Sequence, residues 1–219
     1  MITSERALKV AEFLLQIKAI QLSPENPFTW ASGLKSPIYC DNRKTLSYPE
    51  VRAFIRDAFV ATIRESYGEP EVIAGVATGG IAIGALVAEA MNLPFIYVRS
   101  EPKKHGLGNQ VEGVFQAGQR VVVIEDLIST GSSSLNAVAA LREQQADIIG
   151  MVAIFTYGFE KAKNNFETAN CPLQTLSNYS AMLEQAVNSK YVSPAQQQAL
   201  QSWSASPEAW SEQFQTTHS

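Results

Sequence analysis

The chain has 219 residues, 46% of them apolar and 17% charged, with a net charge of -4 and a pI near 5.3. That length supports one sizeable core, and the composition excludes a disordered chain. The acidity argues against a general nucleic-acid binder, which needs a basic surface, and no segment approaches the ~20 apolar residues that span a bilayer.

Near the start, Ser4 is placed to cap a helix, with Leu8, Ala11, Leu14 and Leu15 on one face. The apolar stretch 11–20 is broken by Glu12, Gln16 and Lys18, so it is not expected to act as a secretory signal. The helix is expected to run to about Gln21, before the turn chemistry of Ser23-Pro24-Glu25-Asn26-Pro27. Residues 28–41 read as two short strands joined around Ser32-Gly33. A second helix is expected over residues 49–67, with Pro49 in its first turn and Val51, Phe54, Ile55, Ala58, Phe59 and Ile63 as its stripe.

After Gly68 the pattern changes. Residues 72–77 form a continuous apolar run, as in a buried parallel strand. A Thr78-Gly79-Gly80 turn, a helix over 81–91 and a strand over 95–98 follow. Residues 100–111 read as a polar, glycine-bearing loop. A strand over 120–124, a turn over 125–133, a helix over 134–144 and a strand over 148–155 complete the core. This alternation predicts an α/β fold with a doubly wound parallel sheet, whose ligands bind outside the carboxyl ends of the strands. The turns after Ala77, Val98 and Ile124 should therefore share one face. Beyond them, residues 179–187 read as helical. Lys190 is the last basic lysine or arginine, and Trp203 and Trp210 are candidates to pack a peripheral helix or two, with a frayed end as the alternative. Cys40 and Cys171 form no CxxC pair, so two unlinked thiols in a reducing, cytoplasmic setting are expected.

The most specific segment is Val121-Val122-Val123-Ile124-Glu125-Asp126-Leu127-Ile128-Ser129-Thr130-Gly131-Ser132-Ser133. An apolar strand ends in two adjacent carboxylates, followed by small hydroxyl residues, a glycine and a helix. Small residues let several backbone N–H groups converge on one point. The helix start adds unpaired N–H groups and partial positive charge, so the whole makes a phosphate cradle. The carboxylates just upstream can accept hydrogen bonds from a sugar diol. No GxxxxGK[ST] occurs, and the glycines at 75, 79, 80 and 84 do not make GxGxxG, which argues against kinases and dehydrogenases.

This segment resembles the phosphoribosyl pyrophosphate (PRPP) motif of type I phosphoribosyltransferases. Two more segments resemble the orotate phosphoribosyltransferases within that family. One is the basic run Arg99-Ser100-Glu101-Pro102-Lys103-Lys104-His105-Gly106, which matches the family's mobile pyrophosphate lid at Arg99, Lys103, His105 and Gly106. The other is Phe28-Thr29-Trp30-Ala31-Ser32-Gly33-Leu34-Lys35-Ser36-Pro37-Ile38-Tyr39, which matches the orotate hood. The chain departs from the family at Ser100 and Ala31, where many members carry lysine, at Gly79, where some do, and at Thr156-Tyr157-Gly158, where some carry an orotate-facing arginine.

The resemblance implies a single phosphoribosyltransferase domain over 1–219, with a small N-terminal hood (about 1–45), a core (about 49–160) and a helical tail (about 167–219). It implies transfer of the 5-phosphoribosyl group from PRPP to orotate, with Mg²⁺ held mainly by substrate and water. Arg99, Lys103, His105 and Asp126 are then the catalytic set. PRPP contacts fall to Arg99, Lys103, Lys104, His105, Glu125, Asp126, Leu127, Ile128, Ser129, Thr130, Gly131, Ser132, Ser133, Thr78 and Gly79. Ser129, Lys35 and Tyr39 are assigned to orotate. A homodimer sharing the lid is implied, with no nucleic-acid or membrane partner. Two rivals remain: a phosphoribosyltransferase for another base, and a non-enzymatic PRPP-sensing regulator.

Overall fold

The computed structural model describes residues 4–100 and 110–217. Lys103, Lys104, His105 and Gly106 lie outside the described residues. In chain order the elements are α1 (Glu5–Gln16), β1 (Ile20–Leu22), β2 (Phe28–Thr29), β3 (Lys35–Ser36), β4 (Ile38–Cys40), a 3-10 turn over Asn42–Ser47 and α2 (Pro49–Tyr67). There follow β5 (Val72–Val76), α3 (Gly79–Met91), β6 (Phe95–Val98), β7 (Val111–Glu112), β8 (Arg120–Ile128), α4 (Ser132–Glu143) and β9 (Asp147–Thr156). The chain ends with α5 (Glu160–Thr168), β10 (Leu173–Asn178), α6 (Tyr179–Asn188), α7 (Pro194–Ala205) and α8 (Pro207–Thr217). Two compact units divide these elements, Leu46–Leu176 on one hand and Met1–Thr45 with Ser177–Ser219 on the other.

The Leu46–Leu176 unit is built on a six-stranded sheet of order β10-β9-β8-β5-β6-β7. Strand β5 runs parallel to both β6 and β8, and β8 runs parallel to β9. Every residue of β5 is buried, and Val121, Val122, Val123 and Ile124 of β8 are fully so, as strands covered on both faces require. From β5 the chain passes through α3 to β6 on one side, then crosses to β8 on the other. The winding therefore reverses between β5 and β8, and a crevice is expected at their carboxyl ends. Helix α2 packs on β9, where the Tyr67 hydroxyl donates to the carbonyls of Met151 (3.1 Å) and Pro172 (2.9 Å).

The expected α/β sheet is present, with three differences in this unit. Strand β8 runs through Ile128 rather than stopping at Ile124, so the acidic pair sits on the strand. A two-residue strand, β7, closes the sheet edge by pairing antiparallel with β6. Helix α5 was not expected from the sequence, and β10 is a strand where the tail from about residue 167 was expected to be helical.

In the other unit, the Ser4 side chain caps α1 by accepting from the Ala7 N–H. Helix α1 stops at Gln16, short of the expected end. Lys18 turns the backbone to φ 55°, and residues 20–22 pair with β4 instead. Strands β2 and β3 form the expected hairpin around Ser32-Gly33. The tail is ordered helix rather than a frayed end. Trp203 of α7 is 1% exposed, edge-on to Trp30 and tilted against Tyr179. Among the described residues no helix is long and apolar enough to cross a membrane.

Candidate active site

Strand β8 and helix α4 are joined by three residues, Ser129, Thr130 and Gly131. So short a link is possible because Gly131, the N-cap of α4, adopts φ 78°, where a side chain is disfavoured. A Cβ there would also collide with the ring of Phe166 from α5. Ser132 and Ser133 are exposed in the first turn of α4, whose leading N–H groups have no intrahelical partner. The Thr130 and Ser132 hydroxyls lie 3.2 Å apart. These features can receive an anion, and no acidic residue occupies the first turn of the helix to oppose one.

The cradle is anchored from below. The Asn165 amide donates to the Thr130 carbonyl (2.9 Å). The carbonyl of Ile128 accepts from the Tyr157 N–H (3.2 Å) and the Thr156 hydroxyl (3.2 Å). Ile128 itself is fully buried, so its side chain faces the core.

The two carboxylates lie close enough to interact directly, but their other neighbours differ. Glu125 is 6% exposed and turns toward α4. Its Oε2 accepts from the Ser134 hydroxyl (2.8 Å) and its Oε1 from the N–H of Asp126 (2.9 Å). Burial, and then the negative charge of Asp126, push the Glu125 carboxyl up to about 8. Asp126 is half-buried and turns toward the start of α3. A Cβ at Gly79 would land on its carboxylate, and one at Gly80 on the Ile124 carbonyl. Two glycines thus let the start of α3 approach β8. The Ala77–Thr78 peptide that leads into them is cis, and Thr78 is exposed at the helix N-cap.

The strand ends also converge as expected. The Ala77 N–H donates to the Val98 carbonyl (2.8 Å), which ties the turn after β5 to the end of β6. One residue on, Arg99 and Gln110 are tied twice: the Arg99 N–H donates to the Gln110 carbonyl (2.9 Å), and the Gln110 amide to the Arg99 carbonyl (2.7 Å). The Arg99 guanidinium pairs with Glu112 at 3.6 Å. Lys35 and Tyr39 belong to the other unit, where the Lys35 amine donates to the Thr29 hydroxyl (2.9 Å) and the partly exposed Tyr39 ring tilts against Phe28. Among the described residues no cluster of three or more His, Cys, Asp or Glu could hold a metal ion.

Several residues that shape this site were not singled out by the sequence. Ser134 sits one position past the motif and looks like any residue of a helix start. Asn165 lies on a polar helix that carries no periodic apolar stripe. Gln110 and Glu112 flank the basic run, and the two-residue strand that positions them is too short to give a pattern.

The sequence profile of the phosphoribosyl transferase domain matches residues 46–181. Among curated proteins, the orotate phosphoribosyltransferase of Porphyromonas gingivalis is 54% identical over 201 residues, covering 92% of this chain and 96% of that protein. That of Listeria innocua is 54% identical over 202 residues, covering 92% and 97%. Among solved structures, the orotate phosphoribosyltransferase of Aeropyrum pernix superposes with a TM-score of 0.73 at 27% identity, over 84% of this chain and 99% of that one. The UMP synthase of Leishmania donovani shares the fold, with a TM-score of 0.77 at 24% identity over 91% of this chain and 42% of that one.

Proposed function

The chain belongs to the phosphoribosyl transferase family, and on that premise we infer that it transfers the 5-phosphoribosyl group of PRPP to orotate. The products are orotidine 5′-monophosphate and pyrophosphate, a step of pyrimidine biosynthesis. The observation that carries this reading is the Ser129–Gly131 link into α4 with the Asp126 carboxylate beside it. A phosphate cradle and a diol acceptor on one strand end suit a sugar phosphate. The choice of orotate rests on the relatives, which match along nearly the whole chain.

An orotate ring nitrogen forms a bond to the anomeric carbon as the bond to pyrophosphate breaks. No nucleophilic side chain is needed, so the protein's work is positioning and electrostatics. Residues 129–133 hold the 5-phosphate, with Leu127 and Ile128 shaping the approach. The acidic pair at 125 and 126 serves the sugar diol, and its charge favours the positive charge that develops on the ribose. Thr78 and Gly79 face the pyrophosphate. Arg99, Lys103, Lys104 and His105 neutralise it as it leaves. Within the Leu46–Leu176 unit the Ser129 hydroxyl is assigned to orotate.

Two opposite charges 4 Å apart attract by ~1 kcal/mol in water and ~4 kcal/mol at an effective dielectric near 20. Basic groups closing over pyrophosphate would therefore gain several-fold by excluding water. A half-buried carboxylate beside a phosphate cradle suits Mg²⁺, which takes most of its oxygens from substrate and water. When bound, the ion supplies charge neutralisation at pyrophosphate and ribose oxygens. The same reading makes the protein a cytoplasmic homodimer in which one subunit's basic segment serves its partner's site.

A pyrophosphate-release assay over a panel of bases tests the assignment. Release with orotate alone supports it, and release with a purine instead would move the chain to another branch of the family. A gel shift with nucleic acid and no pyrophosphate release would favour a PRPP-sensing regulator.

A further inference from the structure

Arg99 opens the basic run of the sequence, yet it is held by residues that come after that run. Strand β7 pairs antiparallel with the end of β6, with Tyr97 opposite Glu112 and Val98 opposite Val111. The next pair along is Arg99 with Gln110. There the Arg99 N–H donates to the Gln110 carbonyl (2.9 Å), but the return bond to the Arg99 carbonyl comes from the Gln110 side-chain amide (2.7 Å). A side chain thus closes the ladder at its last rung, where a main-chain N–H ordinarily would. Glu112 lies diagonally across from Arg99 on the same face of the pair, which brings its carboxylate within 3.6 Å of the guanidinium.

The register of so short a strand is set by what flanks it. Val98 and Val111, which face each other, are 0% and 6% exposed. A slip of one residue would expose Val111 and turn Glu112 to the other face. Gly113 follows at φ 104°, and a Cβ there would come within 2.8 Å of the Ile96 side chain. On the other side of β6, the Ala77 N–H donates to the Val98 carbonyl, so the Thr78–Gly79 turn is tied one residue before Arg99.

Within the function proposed above, on which this rests, we propose that Gln110 and Glu112 are positioning residues for the pyrophosphate end of the PRPP site. Gln110 fixes the main chain of Arg99 and Glu112 steers its guanidinium, so that Arg99 stays beside the Thr78–Gly79 turn. A guanidinium carries five N–H donors in a planar fork, so a contact through Nη1 does not use up its capacity for an anion. The Arg99 and Glu112 side chains are 39% and 26% exposed, and solvent screening keeps the effect of that pair modest. The Gln110 bond satisfies a main-chain carbonyl in a partly buried place, so its loss should matter more.

The two ends of PRPP serve as separate probes. Pyrophosphate with Mg²⁺ reports the Arg99 end, and ribose 5-phosphate reports the segment over 129–133. Gln110→Met keeps the length of the side chain but loses the donor, and calorimetry should show pyrophosphate binding weakened about tenfold. Glu112→Ala should weaken it about three- to fivefold. Arg99→Ala should weaken it at least as much as either. Ribose 5-phosphate affinity should stay within about twofold of wild type in all three, which a general loosening of the fold would not allow. In an Arg99→Ala background neither other substitution should weaken pyrophosphate binding more than about a further twofold, because both act through Arg99.

Wild-type pyrophosphate affinity in Gln110→Met or Glu112→Ala would overturn the proposal. Equal losses for both probes, or full losses on top of Arg99→Ala, would do the same. Should Gln110→Met fail to fold by circular dichroism, Glu112→Ala and its combination with Arg99→Ala decide the question. Neither probe depends on the base. A wild-type chain that binds both probes but does not consume orotate ends the base assignment, while the variants still decide the positioning role. A wild-type chain that binds ribose 5-phosphate but no pyrophosphate ends the positioning role, and one that binds neither ends both.

Discussion

The Asp126 carboxylate lies where a side chain at residue 79 would have to go. Strand β8 and the start of α3 approach so closely that only a glycine leaves room for the acid.

Gly79→Ala should displace the Asp126 carboxylate or the start of α3. Overpacking of this kind typically costs about 1–3 kcal/mol, equivalent to roughly 5- to 150-fold in kcat/KM for PRPP if the strain falls on the site. Steady-state kinetics with varied PRPP checks it. A variant with wild-type kcat/KM would show that the approach of Asp126 to Gly79 does not matter for turnover.

Gly131→Ala should be harmful for two independent reasons. Its backbone sits at φ 78°, and its new methyl would meet the Phe166 ring. Strain at a left-handed position costs of order 1–3 kcal/mol before any clash is added. Denaturant unfolding should record a loss of at least that size, together with a weaker PRPP affinity.

Glu125 makes a pH prediction. Its folded-state pKa is raised to about 8, well above that of an ordinary carboxyl. Between the unfolded value of about 4.3 and the folded value, the native state holds a proton that the unfolded state releases. The contribution to stability is therefore complete below the unfolded pKa and is lost as pH rises through about 8. Melting curves from pH 5 to 9 should show Tm falling across this window, and Glu125→Gln should flatten that slope. A wild-type Tm that rises over the same range, with the same rise in the variant, would contradict the assignment.

Lys103→Ala should lower kcat far more than it weakens orotate binding, because its proposed partner is the departing pyrophosphate. Single-turnover kinetics separates chemistry from release. An unchanged chemical step would count against the role given to this lysine.

Much of the core was legible from the sequence because long apolar runs have little choice of location. The boundaries of α2 fall where Pro49 and Gly68 place them, and β5 and β6 follow their apolar runs. The end of β8 was misjudged because two acids in succession look like a turn. Glu125 can remain in the strand only because Ser134 and the Asp126 N–H satisfy it, a long-range condition that no local pattern reports. Helix α5 escaped notice because only Ala162 and Phe166 of its residues are buried. The tail's order rests on contacts such as Trp203 with Trp30, between residues far apart in the chain. The small residues and the acids of this segment were legible from residue types alone, whereas the burial of Glu125 against Ser134 became visible only in three dimensions.

The most direct test of the whole account is the ultraviolet absorbance of orotate after purified protein, PRPP and Mg²⁺ are mixed. The account predicts a fall in orotate absorbance that depends on PRPP and is matched by pyrophosphate released. Unchanged absorbance from a folded protein that still binds PRPP would contradict it.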